Sequence, residues 1–198
     1  MHTRFSAGSI GIRRFQTGDV NHLFNAAQES LEELCQWMLW CGRDYSLEAA
    51  ESFIARCDDD WRAGRSYSFV IFDEQNDEFL GSVGLSQISR VHCFANLGYW
   101  VRTGRTRRGV ATTAVRLAAQ FAFQRLSLHR LELLVPSTNA ASRRVAEKVG
   151  AICEGLLHRR LVLAGISLDA FLYALTDDRF LNAQSVNQAR VGELTTAR

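Results

Sequence analysis

Three strand-like stretches follow one another at short intervals near the middle of the chain, and a helical stretch comes directly after them. Apolar residues in runs and alternation predict strands over 66–73, 79–88 and 94–102, with the polar turn EQNDE between the first two. Because short turns join strands that lie antiparallel, these three predict a meander. The segment ATTAVRLAAQFAFQRL (111–126) then places apolar residues at helical spacing, which predicts a helix packed on the sheet.

Flanking patterns extend this meander into a mixed α/β domain. The other predicted elements are a strand over 9–16, helices over 19–30 and 46–64 (begun by Ser46 and ended by Gly64), a strand over 129–136, a helix over 139–150 and two strands around Ala164-Gly165. One proline and no linker-like segment occur in 198 residues. We therefore expect a single α/β domain over 1–176, with a mixed, mostly antiparallel sheet of about seven strands flanked by helices. A polar tail over 177–198 should fray or dock loosely.

Composition narrows the classes of function. The net charge is only +2, whereas a dedicated nucleic-acid binder usually carries a larger basic excess. The five cysteines are scattered without a CxxC pair, so we expect reduced thiols, no metal site and a cytoplasmic protein. Residues 1–15 lack the apolar core of a signal peptide, and no stretch approaches the roughly 20 apolar residues that span a bilayer. No membrane partner is expected.

The loop between the third strand and the central helix is the strongest candidate for chemistry. Its sequence, TRRGVA (106–111), sets two arginines and a glycine against a helix start, where unpaired amides and the helix dipole attract anions. Gly109 lets the backbone approach a bulky anion, and pyrophosphate suits several amides and guanidinium groups at once. The pattern also occurs in ordinary turns. It lacks both the Gly-Lys-Ser/Thr ending of NTPase loops and a dinucleotide-binding fingerprint.

Two further arginines lie just upstream of this loop, so the region carries four guanidinium groups: Arg102, Arg105, Arg107 and Arg108. A nucleic-acid-binding module is therefore an alternative from a different class. Exposed aromatic residues do not alternate with these arginines, however, and the net charge is small. We predict no nucleic-acid partner.

The order of these segments resembles the GNAT superfamily of acyl-CoA-dependent N-acetyltransferases, and within it the RimJ/RimL type that acetylates ribosomal-protein N-termini. The resemblance extends over residues 9–176. It is carried by WMLW with SLEAAESFI after it, WRAGRSYSFVIFDEQNDEFLGSVGL, LGYWVRTGRTRRGVATTAVRL, LHRLEL, NAASRRVAEKVGAICEG and LDAFLYAL. It implies a GNAT fold and transfer of acetyl from acetyl-CoA, as co-substrate and without a metal, to a primary amine.

The resemblance also implies which residues bind the cofactor. The family's pyrophosphate loop, Gln/Arg-x-x-Gly-x-Gly/Ala, falls on 106–111, and the strand before it would separate from its neighbour. The Val101 amide would bind the pantetheine arm and polarise the thioester carbonyl, and Ser142 falls where RimL-like members carry a serine near the cofactor sulfur. Val101 and Ser142 are thus the predicted catalytic residues. The predicted cofactor-binding residues are Trp100, Val101, Thr106, Arg107, Arg108, Gly109, Val110, Ala111, Thr112, Asn139 and Ser142.

On the acceptor side, the predicted substrate-binding residues are Trp37, Trp40, Tyr99 and Asp169. Core packing is the alternative for both tryptophans, and a structural role is the alternative for Asp169. Tyr99 and Trp100 are adjacent on a strand, so their side chains should point to opposite faces and one should be core. The expected acceptor is a protein N-terminus. The alternative is a small amine such as a polyamine, an amino acid or an antibiotic, and monomer and homodimer both stay open.

Three departures from the family pattern bear on mechanism. Thr106 replaces the usual Gln or Arg at the start of the loop, and Ala146 occupies the position of a tyrosine acid found in many members. The strand 94–101 contains no carboxylate, only Asn96. We therefore expect Ser142 or a water to protonate the thiolate. The amine should attack directly in a ternary complex and lose its proton through water.

Overall fold

The computed structural model describes residues 4–42 and 44–180, and these residues form the predicted mixed α/β architecture. Its strands are β1 (Arg4–Ala7), β2 (Ile10–Arg14), β3 (Tyr67–Asp73), β4 (Phe79–Ser89), β5 (Phe94–Val101), β6 (Arg130–Pro136), β7 (Ile152–Leu163) and β8 (Ile166–Thr176). Its helices are α1 (Val20–Glu29), α2 (Leu31–Leu34), α3 (Leu47–Ala63), α4 (Val110–Arg125) and α5 (Ala140–Lys148). Residues 181–198 of the predicted tail lie outside the described part of the chain.

All eight strands of the described residues form one sheet, in the order β1-β2-β3-β4-β5-β6-β8-β7. Neighbouring strands are antiparallel except β5 and β6, which are parallel. The sequence predicts about seven strands, and the additional one is β1. Its four residues, RFSA, are mostly exposed, so they carry little alternation for a pattern to detect. Pairing with β2 across a tight hairpin is what makes this segment a strand.

The ends of α3 lie where the sequence predicts them. Ser46 Oγ accepts a hydrogen bond from the Ala49 amide at 3.3 Å, which satisfies one of the unpaired donors at the helix start. Gly64 ends the helix in the left-handed region, at φ +66°. Between these caps, Ala50, Ile54 and Cys57 are buried in the core.

The sheet is covered on both faces, as the alternation along β3 shows. Phe69 and Ile71 belong to the hydrophobic cluster that contains α4, whereas Val70 and Phe72 belong to the cluster that contains α1 and α3. All four side chains are fully buried. A strand covered on both faces is a continuous apolar run, which explains the sequence YSFVIF.

The first residues of the predicted tail pack against the domain. The Phe180 ring lies edge-on to Phe123 of α4, with 5.5 Å between ring centroids, and its side chain is buried. None of the described helices is both long and apolar enough to cross a membrane.

Candidate active site

The parallel strands β5 and β6 separate soon after they pair. Their pairing covers three residues on each strand and ends at Asn96 and Glu132. Beyond this point β5 continues to Val101, while β6 stays paired with β8 as far as Pro136. The divergence opens a cleft in the sheet.

Backbone amides of β5 point into this cleft. The Arg102 amide donates to the Leu80 carbonyl of β4 at 2.8 Å. In an antiparallel ladder, such donors alternate with amides that point away from the partner strand. The amides of Tyr99 and Val101 are therefore directed toward the gap left by β6, where they can donate to a carbonyl oxygen that enters the cleft.

At the end of β5, the arginine–glycine loop is wound so that amides at the start of α4 have no hydrogen-bond partner among the described residues. Arg107 and Gly109 both have left-handed backbones, at φ +61° and +78°. The first backbone bond of the helix runs from the Thr113 amide to the Gly109 carbonyl at 3.0 Å. No described residue accepts a hydrogen bond from the preceding amides of Val110, Ala111 and Thr112, and no side chain caps the helix. Together with the helix dipole, these amides are suited to binding an anion.

The four arginines of this region divide into two pairs. Arg102 Nε donates to Glu29 at 2.6 Å and its Nη1 to Glu78 at 3.2 Å, while Arg105 Nε donates to Glu78 at 3.0 Å. These ion pairs hold the base of the loop against α1 and the turn between β3 and β4. Arg107 and Arg108, by contrast, form no ion pair with any described residue.

One large groove, of about 1330 Å³, runs through the cleft and past the loop. Most of the predicted site residues line it: Trp37, Trp40, Tyr99, Trp100, Val101, Thr106, Arg107, Gly109, Val110, Ala111, Thr112, Asn139 and Ser142. Arg108 instead lines a smaller depression of about 340 Å³, together with Arg105 and Glu78.

Asp169 also lies apart from the groove lining. Its carboxylate accepts a hydrogen bond from the Arg159 amide at 2.7 Å and lies 3.1 Å from His158 Nδ1. The Arg159 amide, followed by the contact with His158, holds the pKa of Asp169 below its usual value. These contacts tie β8 to an irregular stretch of β7.

The start of α5 places a serine against Tyr99 across the cleft. Asn139 Oδ1 accepts from the Ser142 amide at 3.0 Å, so Asn139 caps the helix and orients its first turn. Ser142 Oγ is hydrogen-bonded to Tyr99 Oη at 2.8 Å. Burial raises the pKa of Tyr99 to about 12, so the phenol keeps its proton at neutral pH. Sequence reasoning placed Tyr99 with the acceptor and missed this pair.

Aromatic side chains form one wall of the groove. Trp100 is buried between Phe79 and Trp40, at centroid distances of 5.9 and 6.0 Å. Trp40 also packs against Tyr45 at 5.3 Å, yet 43% of it is exposed. Of the two adjacent residues Tyr99 and Trp100, Trp100 is therefore the core residue, and Tyr99 lies on the opposite face of the sheet, toward α5.

The floor of the groove is a row of small residues that sequence reasoning missed. Ser68, Gly84 and Gly98 lie side by side on β3, β4 and β5 and all line the groove. A Cβ at Gly98 would have no neighbour within 4 Å. The signal in the sequence is the recurrence of Gly and Ser at alternate positions of GSVGLS and NLGYW, on strands that are otherwise apolar.

The groove is electropositive. Among its described lining residues, Glu33 is the only carboxylate, and it accepts a hydrogen bond from Thr103 at 3.0 Å. The cationic lining residues are Arg56, Arg105, Arg107, Arg144, Lys148 and Arg160.

A family model described as an acetyltransferase (GNAT) domain matches residues 9–152. The chain belongs to the GNAT family of acetyltransferases. It is therefore an acetyl-CoA-dependent N-acetyltransferase, and the divergent strands and exposed helix start are features of this GNAT domain.

Known proteins resemble this GNAT enzyme over most of its length. The probable N-acetyltransferase YjcK of Bacillus subtilis is 29% identical over 84% of this chain and 93% of its own. The structure of Mycobacterium smegmatis RimJ in complex with CoA-disulfide is 30% identical, with a TM-score of 0.81 over 90% of this chain and 87% of that chain. Spermidine N(1)-acetyltransferase of Escherichia coli is 28% identical over 57% of this chain and 60% of its own.

We predict that Gly109→Glu raises the Kd for CoA about tenfold or more. The new carboxylate would project beside the exposed amides, where a phosphate group would be repelled, and φ +78° strains any non-glycine residue. Gly8→Glu is the matched control, because Gly8 is also left-handed (φ +61°) with open surroundings but lies in the β1–β2 turn. Isothermal titration calorimetry measures both variants. Unchanged affinity in Gly109→Glu would show that this loop does not hold the phosphates.

Proposed function

We propose that this enzyme acetylates the α-amine at the N-terminus of a protein, by direct attack in a ternary complex. The floor of the groove carries this proposal. The row Ser68, Gly84 and Gly98 leaves space over the sheet for an extended peptide beside the cleft between β5 and β6. An aromatic wall beside this open floor suits a chain better than a compact amine.

The charge of the groove favours a peptide over a polyamine. A polyamine is a polycation, and a site that selects one needs several carboxylates to offset the loss of hydration. Here the groove is lined by six cationic side chains, of which Arg105 is paired with Glu78, against the single Glu33 carboxylate. A peptide N-terminus brings only one amine and can carry neutral or acidic residues after it.

The resemblance to RimJ supports a protein acceptor, whereas the resemblance to spermidine acetyltransferase represents the small-amine alternative.

All five cysteines are free, which is consistent with the cytoplasmic location that we propose for the reaction.

The loop and the start of α4 hold the cofactor in this proposal. The amides of Val110, Ala111 and Thr112 donate to the pyrophosphate, and Arg107 adds a guanidinium group at the same groove. Gly109 keeps side-chain atoms out of the space that the phosphates would enter. The pantetheine arm lies in the cleft, where it takes the place of β6 as the hydrogen-bond partner of the β5 amides.

Transfer then needs few protein groups. The amine nitrogen attacks the thioester carbonyl, a C–N bond forms, and the Val101 amide stabilises the negative charge on the oxygen. The C–S bond breaks and Ser142 Oγ–H protonates the thiolate while Tyr99 Oη returns a proton to the serine, and the proton that the amine releases to water restores the phenol through solvent. Tyr99, protonated at neutral pH, is hydrogen-bonded to Ser142 Oγ at 2.8 Å, close enough to return the proton that the serine gives up.

We expect a thiol-release assay to show higher kcat/KM, by about tenfold or more, for peptides with a free N-terminus than for spermidine. The physical reason is the shortage of carboxylates in the groove. The same peptides with a blocked α-amine are the control and should release no thiol above background. A preference for spermidine would contradict the proposed acceptor.

Ser142→Ala should lower kcat by roughly 100-fold, in the range of general acid catalysis, and Tyr99→Phe by about tenfold. The Kd for acetyl-CoA should change less than about twofold, since neither hydroxyl belongs to the phosphate site. Ser137→Ala, a change of the same kind just outside the groove lining, is the control. Steady-state kinetics with CoA titrations separate the two effects, and an unchanged kcat in Ser142→Ala would remove this serine from the chemistry.

Gly98→Val tests the path of the acceptor. The backbone of Gly98 is not left-handed, so valine fits the strand, and its methyl groups would stand on the open floor of the groove. We expect kcat/KM for peptides to fall about tenfold or more while CoA affinity stays within about twofold. Equal efficiency with peptides would show that the acceptor does not cross this part of the sheet.

A further inference from the structure

Two of the five cysteines, Cys35 and Cys41, meet at one backbone carbonyl beside the aromatic wall of the groove. The Cys35 amide donates to the Leu31 carbonyl at 2.9 Å, and the Cys41 thiol donates to the same oxygen at 3.7 Å. Burial, followed by the neighbouring Cys35 thiol, raises the pKa of Cys41 well above its usual value. The two thiols are therefore neighbours in the fold.

The chain between these cysteines is a compact turn that folds back on α2. The Met38 amide donates to the Leu34 carbonyl at 2.8 Å, and the Cys41 amide donates to the Met38 carbonyl at 3.1 Å. A disulfide requires two cysteines whose backbones are close and whose side chains face each other. The turn and the shared Leu31 carbonyl bring Cys35 and Cys41 together in this way.

This turn also carries part of the acceptor side of the groove. The groove-lining residues between the two cysteines are Trp37, Met38, Leu39 and Trp40. Leu39 is 76% exposed, so the tip of the turn can shift with little loss of packing. Trp40 directly precedes Cys41 and packs against Trp100 at a centroid distance of 6.0 Å. A covalent change at the two sulfur atoms would therefore displace or stiffen the aromatic wall.

A small oxidant can reach both thiols. Cys35 and Cys41 are partly exposed, whereas Cys57 is buried in the core. Cysteines that respond to oxidants are typically accessible and lie beside a second thiol that resolves the oxidised form. In a reducing compartment, such a disulfide is transient and serves as a signal.

We propose that Cys35 and Cys41 form a dithiol site that hydrogen peroxide converts into a disulfide, and that this bond weakens acceptor binding. Formation of the bond is independent of the proposed function. The effect on the acceptor rests on that function only in that the acceptor contacts the aromatic wall.

The reaction consumes one peroxide and two thiols. Cys41 keeps its proton at neutral pH, so Cys35 attacks first: its thiolate sulfur bonds to one peroxide oxygen, the O–O bond breaks, and the leaving hydroxide takes up the proton that Cys35 released. The Cys41 sulfur then attacks the sulfenic sulfur, the S–S bond forms and the S–O bond breaks. The second hydroxide leaves with the Cys41 proton as water. The two sulfurs lose two electrons, which reduce the peroxide.

The disulfide would change the acceptor side more than the cofactor side. It draws the two sulfurs to about 2.05 Å and closes the turn covalently at both ends. Trp40 must follow Cys41, which alters its packing against Trp100. The amides of Val110, Ala111 and Thr112 lie outside this turn, so the affinity for CoA should not change.

Peroxide treatment of the full-length enzyme, followed by peptide mapping with mass spectrometry, tests the site. The wild-type enzyme should lose the mass of two hydrogen atoms in a link between Cys35 and Cys41, and dithiothreitol should reverse the loss. Cys35→Ser and Cys41→Ser should each prevent it. Cys153→Ser is the matched control, because Cys153 is an exposed cysteine outside the groove lining, and this variant should still form the bond. A disulfide between other cysteines, or oxidation of Cys35 to a sulfinic acid without a disulfide, would overturn the inference.

Steady-state kinetics test the consequence for the acceptor. With whichever acceptor gives the highest kcat/KM, the oxidised enzyme should show a KM for the acceptor that is raised about threefold or more, and a Kd for CoA within about twofold. Cys35→Ser and Cys41→Ser should keep the same KM before and after peroxide. An unchanged KM in the fully oxidised enzyme would contradict the inference. If a small amine proves to be the best acceptor, the proposed function fails, and the KM of that amine with the oxidised enzyme decides this inference separately.

Discussion

The early divergence of β5 and β6 is the constraint on which the rest of the site depends. These strands are the one parallel pair in the described sheet, and parallel neighbours require a crossover, which α4 supplies. A crossover that starts at the end of β5 puts the N-terminus of α4 at the open end of the cleft. One topological feature therefore creates both a slot with unpaired backbone amides and, at its mouth, the helix start that we propose as the phosphate site.

Local signals in the sequence were sufficient for most elements of the fold. Helix α3 carries its own start and stop in Ser46 and Gly64, and the meander β3–β5 is marked by turn residues and strand-like runs. The segments that escaped prediction are those whose conformation depends on a partner. Strand β1 is too short and too exposed to show a strand-like pattern of apolar residues. It forms a strand because it pairs with β2.

The candidate site was predictable where it is local in sequence and unpredictable where it is assembled by register. The loop 106–111 stands out in the sequence, and Ser142 was indicated by the resemblance to GNAT proteins. The pairing of Tyr99 with Ser142 joins residues 43 positions apart, and the ion pair between Arg102 and Glu29 spans 73. No periodicity encodes such contacts. They also change the interpretation of the arginines, because two of the four anchor the loop and are not free to meet an anion.

The left-handed backbone of Arg107 has a consequence for how the enzyme turns over. A non-glycine residue in this conformation costs about 1–2 kcal/mol, and the Arg102 and Arg105 ion pairs fix the residues just before it. The strain of this turn reduces the stability of the folded protein, and it does not reduce the affinity for a ligand, because the turn has the same shape before a ligand binds. A loop already wound in its receptive shape loses little conformational entropy on binding. Cofactor and product can then exchange at each catalytic cycle without a folding step in between.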